Sequence, residues 1–172
     1  SPGLHRYMPN AGLLDVREAI AESLSPECKF KLLAKDVVMV CGAAGGLNIT
    51  LKTLLDPGDE VIIFTPYFVE YLFYVDNHGG KTVAVPTLED FHLDFNVLKN
   101  ALNEKTKAVI INSPNNPTGV VYSPKELQEV ANILKEHSDK LNRSVYLISD
   151  DPYKKITFDG VEAPNIMEFY SN

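Results

Sequence analysis

Two groups of polar residues stand at the ends of apolar runs in this 172-residue chain. The first, Asn115-Asn116-Pro117-Thr118-Gly119, follows the apolar stretch 108–111. The second, Asp150-Asp151-Pro152-Tyr153, follows the stretch 145–149. An amide, a carboxylate and a phenol are thereby offered at two strand ends, where an open α/β sheet binds its ligand. Asn116 precedes a proline, which steers it toward an extended backbone. Its amide is then either a held donor or part of a plain turn. A carboxylate leaving a buried strand needs a partner to offset its desolvation. A protonated ring nitrogen would serve Asp150, and the negative charge would keep that ring cationic. Tyr153 could then hydrogen-bond an oxygen on the same ring. The competing assignment has Asp150 or Asp151 capping the segment that follows.

Two further features could belong to the same site. Gly42-Ala43-Ala44-Gly45-Gly46 stands between a short β-branched run and a helical pattern. Backbone N–H groups at a helix start suit a phosphate, and small residues let the anion approach. The spacing is neither G-x-G-x-x-G nor a P-loop, so a tight turn without a ligand fits equally. In Pro66-Tyr67-Phe68 an aromatic follows another apolar run. It either stacks on a flat ring or packs in the core. Tyr71 and Tyr74 read as packing residues.

These residues need elements to hold them. Apolar spacing predicts a helix over 13–24, then a strand over 37–41 leading into the glycine segment. A helix follows through Leu47, Leu51, Leu54 and Leu55, then a turn at Asp56-Pro57-Gly58-Asp59. Strands are predicted at 60–64, 81–85, 108–111 and 145–149, with a helix over 67–77 between the first two. Asp94 is placed to cap a helix reaching about 102. Ser123-Pro124-Lys125-Glu126 is a capping box with proline at the first helical position, opening a helix to about 140. Strand and helix alternate throughout. The expected fold is α/β, three layers α-β-α around a mostly parallel sheet, in one domain over 1–172.

Composition bounds the function. Hydrophobic residues make up 45% and charged residues 23%, an ordinary globular balance. The net charge of −7 argues against nucleic acid and anionic membranes as partners. No apolar run approaches the roughly 20 residues of a membrane span. Cys28 and Cys41 have no metal or redox spacing and read as buried reduced thiols of a cytoplasmic protein. The four histidines are scattered, no zinc spacing is present, and no metal is expected.

Taken in order, these motifs resemble the large domain of the class I/II aminotransferases, fold-type I enzymes that use pyridoxal 5'-phosphate. The resemblance runs from about Tyr7 to Asn172. It implies that Tyr7, in Tyr-x-x-x-x-Gly, reaches the cofactor phosphate of a neighbouring subunit in a homodimer. It implies that Gly42, Ala43 and Ala44 bind the phosphate through backbone N–H groups, and that Phe68 stacks on the ring. Asn116 of Asn-Pro-Thr-Gly would bond the phenolic oxygen, Asp150 the pyridine nitrogen, and Tyr153 the same oxygen as Asn116. The substrates implied are an amino acid and a 2-oxo acid. The Ser-x-Ser-Lys run that carries the family's Schiff-base lysine is not in the chain. Lys154 and Lys155 do not occupy its place, so no catalytic residue is assigned. The implied chain is a fragment without the lysine segment or the small C-terminal domain, and inactive alone. A lyase or carbon–carbon bond-forming enzyme of the same fold, or a non-catalytic phosphate-binding module, are the alternatives.

Overall fold

A computed structural model describes residues 7–170. Its centre is a four-stranded sheet made of β1 (Glu60–Thr65), β2 (Lys81–Pro86), β3 (Thr106–Asn112) and β4 (Tyr146–Asp150). The spatial order is β2-β1-β3-β4, and every pairing is parallel. Parallel neighbours need crossover connections, and helices supply them: α3 (Glu70–Asp76) lies between β1 and β2 in the chain, α4 (Phe95–Ala101) between β2 and β3, and α5 (Pro124–Leu141) between β3 and β4. Helices α1 (Leu14–Leu24) and α2 (Gly42–Leu54) precede the sheet.

The period-two alternation of the central strands sorts their side chains onto two faces. Val61 and Ile63 of β1 and Ala108 and Ile110 of β3 meet Leu47 and Leu51 of α2 and Tyr71 and Val75 of α3. Ile62, Phe64, Val109 and Ile111 point the other way, onto Leu98 of α4 and Leu127, Val130 and Leu134 of α5. Ile62 sits opposite Val83 on one side and Val109 on the other. Burying each such aliphatic side chain contributes about 1.5–3 kcal/mol. These two clusters make the three layers that the sequence pattern predicts.

Local signals hold where the chemistry is local. Asp94 Oδ1 accepts from the N–H groups of Asn96 at 2.9 Å and Val97 at 3.2 Å. Ser123 and Glu126 form the reciprocal capping box, and Asn142 ends α5 in the left-handed region at φ 48°.

The strand expected over 37–41 does not form. Its valines favour extended backbone, but a ladder needs a partner strand; among the described residues the only backbone hydrogen bond from this run to a distant segment is Met39 N–H to Ala11 C=O, 2.9 Å. The glycine segment therefore follows an extended tether, and Gly42 is itself the first residue of α2. Helix α3 begins at Glu70 instead of 67, because turn bonds from Tyr71 N–H to Phe68 C=O and Leu72 N–H to Val69 C=O occupy its start. Neither cysteine is buried as expected: Cys28 is half-buried and Cys41 exposed, and both are free thiols. Among the described residues no helix is long and apolar enough to cross a membrane.

The chain runs from β1 outward to β2, then returns to place β3 on the other side of β1. The order reverses between β1 and β3. The crevice outside the carboxyl ends of these strands is where such a sheet takes a ligand.

Candidate functional site

Three segments leave the carboxyl ends of β1, β3 and β4, and their polar groups are wired together. The centre is Asp150, the last residue of β4. Its Oδ2 accepts the Tyr71 hydroxyl at 2.7 Å. Tyr71 is 2% exposed. Burial, and then its hydrogen bond to Asp150, push the Tyr71 phenol far above the ordinary tyrosine range, so it stays protonated and donates. The ring of Phe68, half-buried just before α3, meets Tyr71 edge-on at 5.8 Å between centroids and 82° between planes.

Asn112 closes β3 opposite Asp150. Its Nδ2 donates to the Asp150 carbonyl at 2.7 Å, and its Oδ1 accepts the Asn116 N–H at 2.6 Å. The carboxamide of Asn116 has no hydrogen-bond partner among the described residues, nor has the Tyr153 hydroxyl. Both residues line one open cavity of about 600 Å³, together with Pro114, Pro117, Ile156 and Phe158.

The two adjacent aspartates part company. Asp151 Oδ1 accepts the Ser149 hydroxyl at 2.6 Å. Burial pushes its carboxyl above the usual range, against the pull of Ser149 and Lys154. Asp151, Ser149 and Lys154 line a different cavity of about 1170 Å³. Lys154 is bound to Glu27, which the ammonium holds below the ordinary carboxylate range. Neither aspartate caps a helix.

Gly42, Ala43 and Ala44 are exposed at the N-terminus of the 13-residue helix α2, and the side chain of Cys41 does not cap it. The first N–H groups of a helix have no intrahelical acceptor and carry its positive dipole end. Gly42 has φ 73°, and apart from its chain neighbours and its own helix backbone no atom of the described residues lies within 4 Å of where its Cβ would be. Glycine is required there by conformation, and the space before it is open. No hydrogen bond joins this turn to the Asp150 cluster among the described residues. Tyr7 is fully exposed.

The structure thus brings Phe68, Asn116, Asp150 and Tyr153 around the strand ends, with Gly42–Ala44 and Tyr7 separate. It adds two residues that sequence reading missed. Tyr71 was read as packing, which it also does; a buried phenol must place its hydroxyl, and that requirement was the available signal. Asn112 is a polar residue ending an apolar strand, and its 5% exposure forces it to find partners.

The residues fall into two separate sets: a helix start without a side-chain cap, able to take an anion, and a strand-end set in which Asp150 Oδ1, the Asn116 carboxamide and the Tyr153 hydroxyl have no partner among the described residues. Among the described residues no group of three or more His, Cys, Asp or Glu is arranged to hold a metal.

Comparison with known proteins converges on one group. Residues 1–171 match the family described as aminotransferase class I and II. The aspartate aminotransferase of Bacillus subtilis is 37% identical over 168 residues, which is 96% of this chain and 41% of that protein. The aspartate aminotransferase of Pyrococcus abyssi is 42% identical over 163 residues, 93% of this chain and 40% of that one. The crystal structure of an amino transferase from Eubacterium rectale superposes with a TM-score of 0.96 at 38% identity, over 100% of this chain and 44% of that one. An aromatic aminotransferase from Pyrococcus horikoshii gives 0.87 at 40% identity, over 96% and 43%. The chain spans about two-fifths of the length of these relatives.

Proposed function

The chain belongs to the class I and II aminotransferase family of fold-type I enzymes, and from that premise we propose that its 172 residues are part of the large, cofactor-binding domain of a pyridoxal phosphate-dependent aminotransferase. The whole enzyme would move an amino group between an amino acid and a 2-oxo acid, in the cytoplasm, as a homodimer. The observation that carries this reading is the wired strand end: Asp150, bonded by Tyr71 at 2.7 Å, is joined through Asn112 to Asn116, whose carboxamide has no partner among the described residues.

Each residue has a task in that reading. The N–H groups of Ala43 and Ala44, with that of Gly42 once it exchanges its 3.1 Å bond to Val40 C=O, hold the phosphate, and Tyr7 reaches the phosphate in the neighbouring subunit. Phe68 covers one ring face. Asp150 keeps a proton on the ring nitrogen, and Asn116 and Tyr153 donate to the phenolic oxygen. Bound pyridoxal phosphate would supply an electron-withdrawing cationic ring, which accepts the electrons released at the substrate's Cα. Tyr71 acts through Asp150: it donates to Oδ2, fixes the carboxylate and leaves Oδ1 for the ring. The base that moves the proton between substrate and cofactor is the family's Schiff-base lysine, and no residue of 1–172 is assigned to that role.

Two measurements test this. Calorimetric titration of the 172-residue chain should show pyridoxal phosphate binding at least about tenfold tighter than pyridoxal, the share a charge-assisted contact contributes. Equal affinities would remove the phosphate site. An assay of the purified chain alone should show no transamination, and measurable turnover would overturn the claim that the base lies outside it.

A further inference from the structure

One side chain joins the ends of β3 and β4. Asn112 is the last residue of β3 and lies directly opposite Asp150 in the ladder. Its carboxamide is spent on both sides. Nδ2 donates to the Asp150 carbonyl at 2.7 Å, and Oδ1 accepts the Asn116 N–H at 2.6 Å. The two halves of a carboxamide share one plane, so donor and acceptor cannot turn independently. A shift of Asp150 that keeps its bond rotates the plane and carries the Asn116 backbone with it.

Strand pairing alone does not require this arrangement. The β3–β4 register already matches five residue pairs, from Ala108 opposite Tyr146 to Asn112 opposite Asp150. The bond to Asn116 N–H lies past the end of that ladder, in the loop that carries the free amide. A carboxylate at position 112 would have no donor for Asp150, and a short hydroxyl would not span both partners.

We propose that Asn112 is a positioning residue that couples Asp150 to Asn116, holding the ring-nitrogen partner and the phenolic-oxygen partner at one fixed separation. This rests on the roles assigned to Asp150 and Asn116 above. A pyridine ring fixes the distance between its nitrogen and its phenolic oxygen. Groups from two separate strands must match that distance, and productive sites hold such groups to within about 0.5 Å. One buried carboxamide spanning both strand ends does this without involving the solvent-exposed surface.

The test uses the 172-residue chain and three probes in equilibrium dialysis: pyridoxal phosphate, its 1-carba analogue with C–H in place of the ring nitrogen, and its 3-deoxy analogue without the phenolic oxygen. The readouts are two ratios, the preference for pyridoxal phosphate over each analogue. Asn112→Asp keeps an acceptor for Asn116 N–H and loses the donor to Asp150. Coupling requires both ratios to fall, by about fivefold each, the share of one ordinary hydrogen bond. Loss of folding stability alone weakens all three probes alike and leaves the ratios unchanged. Asn112→Ser is the second variant, with the same expectation, and thermal melts show which variant is folded at the assay temperature. The proposal is overturned if either folded variant keeps both wild-type ratios. It is overturned too if Asn112→Asp lowers the ring-nitrogen ratio and leaves the phenolic-oxygen ratio intact. Wild-type ratios of one for both analogues would instead remove the roles of Asp150 and Asn116, and the coupling with them.

Discussion

The loop beyond β3 and the segment beyond β4 both deliver a polar group to the same cavity, yet they are held in opposite ways. Beyond β3 the chain closes on itself. Asn115 N–H bonds Val120 C=O at 2.9 Å, and Gly119 N–H returns to Asn115 C=O at 2.8 Å. The Asn115 side-chain oxygen accepts both the N–H and the hydroxyl of Thr118, at 3.1 and 2.8 Å, and Ser113 Oγ takes Tyr122 N–H at 3.0 Å. Beyond β4 the chain is open. Tyr153, Ile156 and Phe158 are 39%, 63% and 76% exposed, and the backbone there makes short turn bonds such as Ile156 N–H to Tyr153 C=O at 2.8 Å. The Asn116 residue is therefore held by bonds within its own loop, whereas beyond β4 the segment is tied at Lys154 to Glu27 and the Tyr153 hydroxyl has no partner among the described residues. A preformed group costs little to order on binding, and an open one must be ordered by the ligand.

The strongest way to break this contrast is to cut the closed loop. Asn115→Ala removes an acceptor that serves two donors in a buried position, 8% exposed. Leaving those donors unpaired should cost about 2–3 kcal/mol of stability. A urea unfolding curve reads this as a lower midpoint with unchanged slope. A loss below about 0.5 kcal/mol, the range of ordinary surface substitutions, would mean that the loop is not preformed by these bonds.

How far the sequence reveals this contrast depends on the range of each interaction. The caps at Asp94 and Ser123 come from neighbours within a few positions, and the four strands are apolar runs that each find a parallel partner; each lies within two residues of its expected place. The run 37–41 has the composition of a strand, but strand formation is decided by a partner elsewhere in the chain, and none is offered. The same holds for the site. Asn116, Asp150 and Tyr153 are legible because each sits in a short motif at a strand end. Tyr71 meets Asp150 across 79 positions, and nothing in its own neighbourhood distinguishes a tyrosine that packs from one that packs and also donates. Asn112 is hidden for a related reason: it ends an apolar run, and its two bonds exist only once β4 lies beside β3.

A smaller effect is expected at the hydrogen bond that holds the Asp150 side chain at the β4 end. Tyr71→Phe keeps the packing of the ring and deletes the donor to Asp150, leaving Oδ2 without its protein partner. A hydrogen bond to a charged group contributes about 1.5–3 kcal/mol, and solvent reaching the half-buried carboxylate recovers part of it. Thermal unfolding should therefore show a loss of about 1 kcal/mol, less than at Asn115. Equal melting temperatures for the variant and the parent chain would show that the Tyr71 bond adds nothing to how Asp150 is held.

The smallest stability effect belongs to Tyr153, and it sharpens the contrast best. Its hydroxyl has no protein partner among the described residues, so Tyr153→Phe should change stability by no more than about 0.5 kcal/mol, as for an ordinary exposed site. If the phenol is ordered by the ligand, the deletion appears only with ligand present. The affinity for pyridoxal phosphate should fall about fivefold, the share of one neutral hydrogen bond, while the apo melting temperature stays in place. A variant that melts lower without ligand would show that the segment after β4 is fixed before binding. The two strand ends would then differ in exposure but not in how they are held.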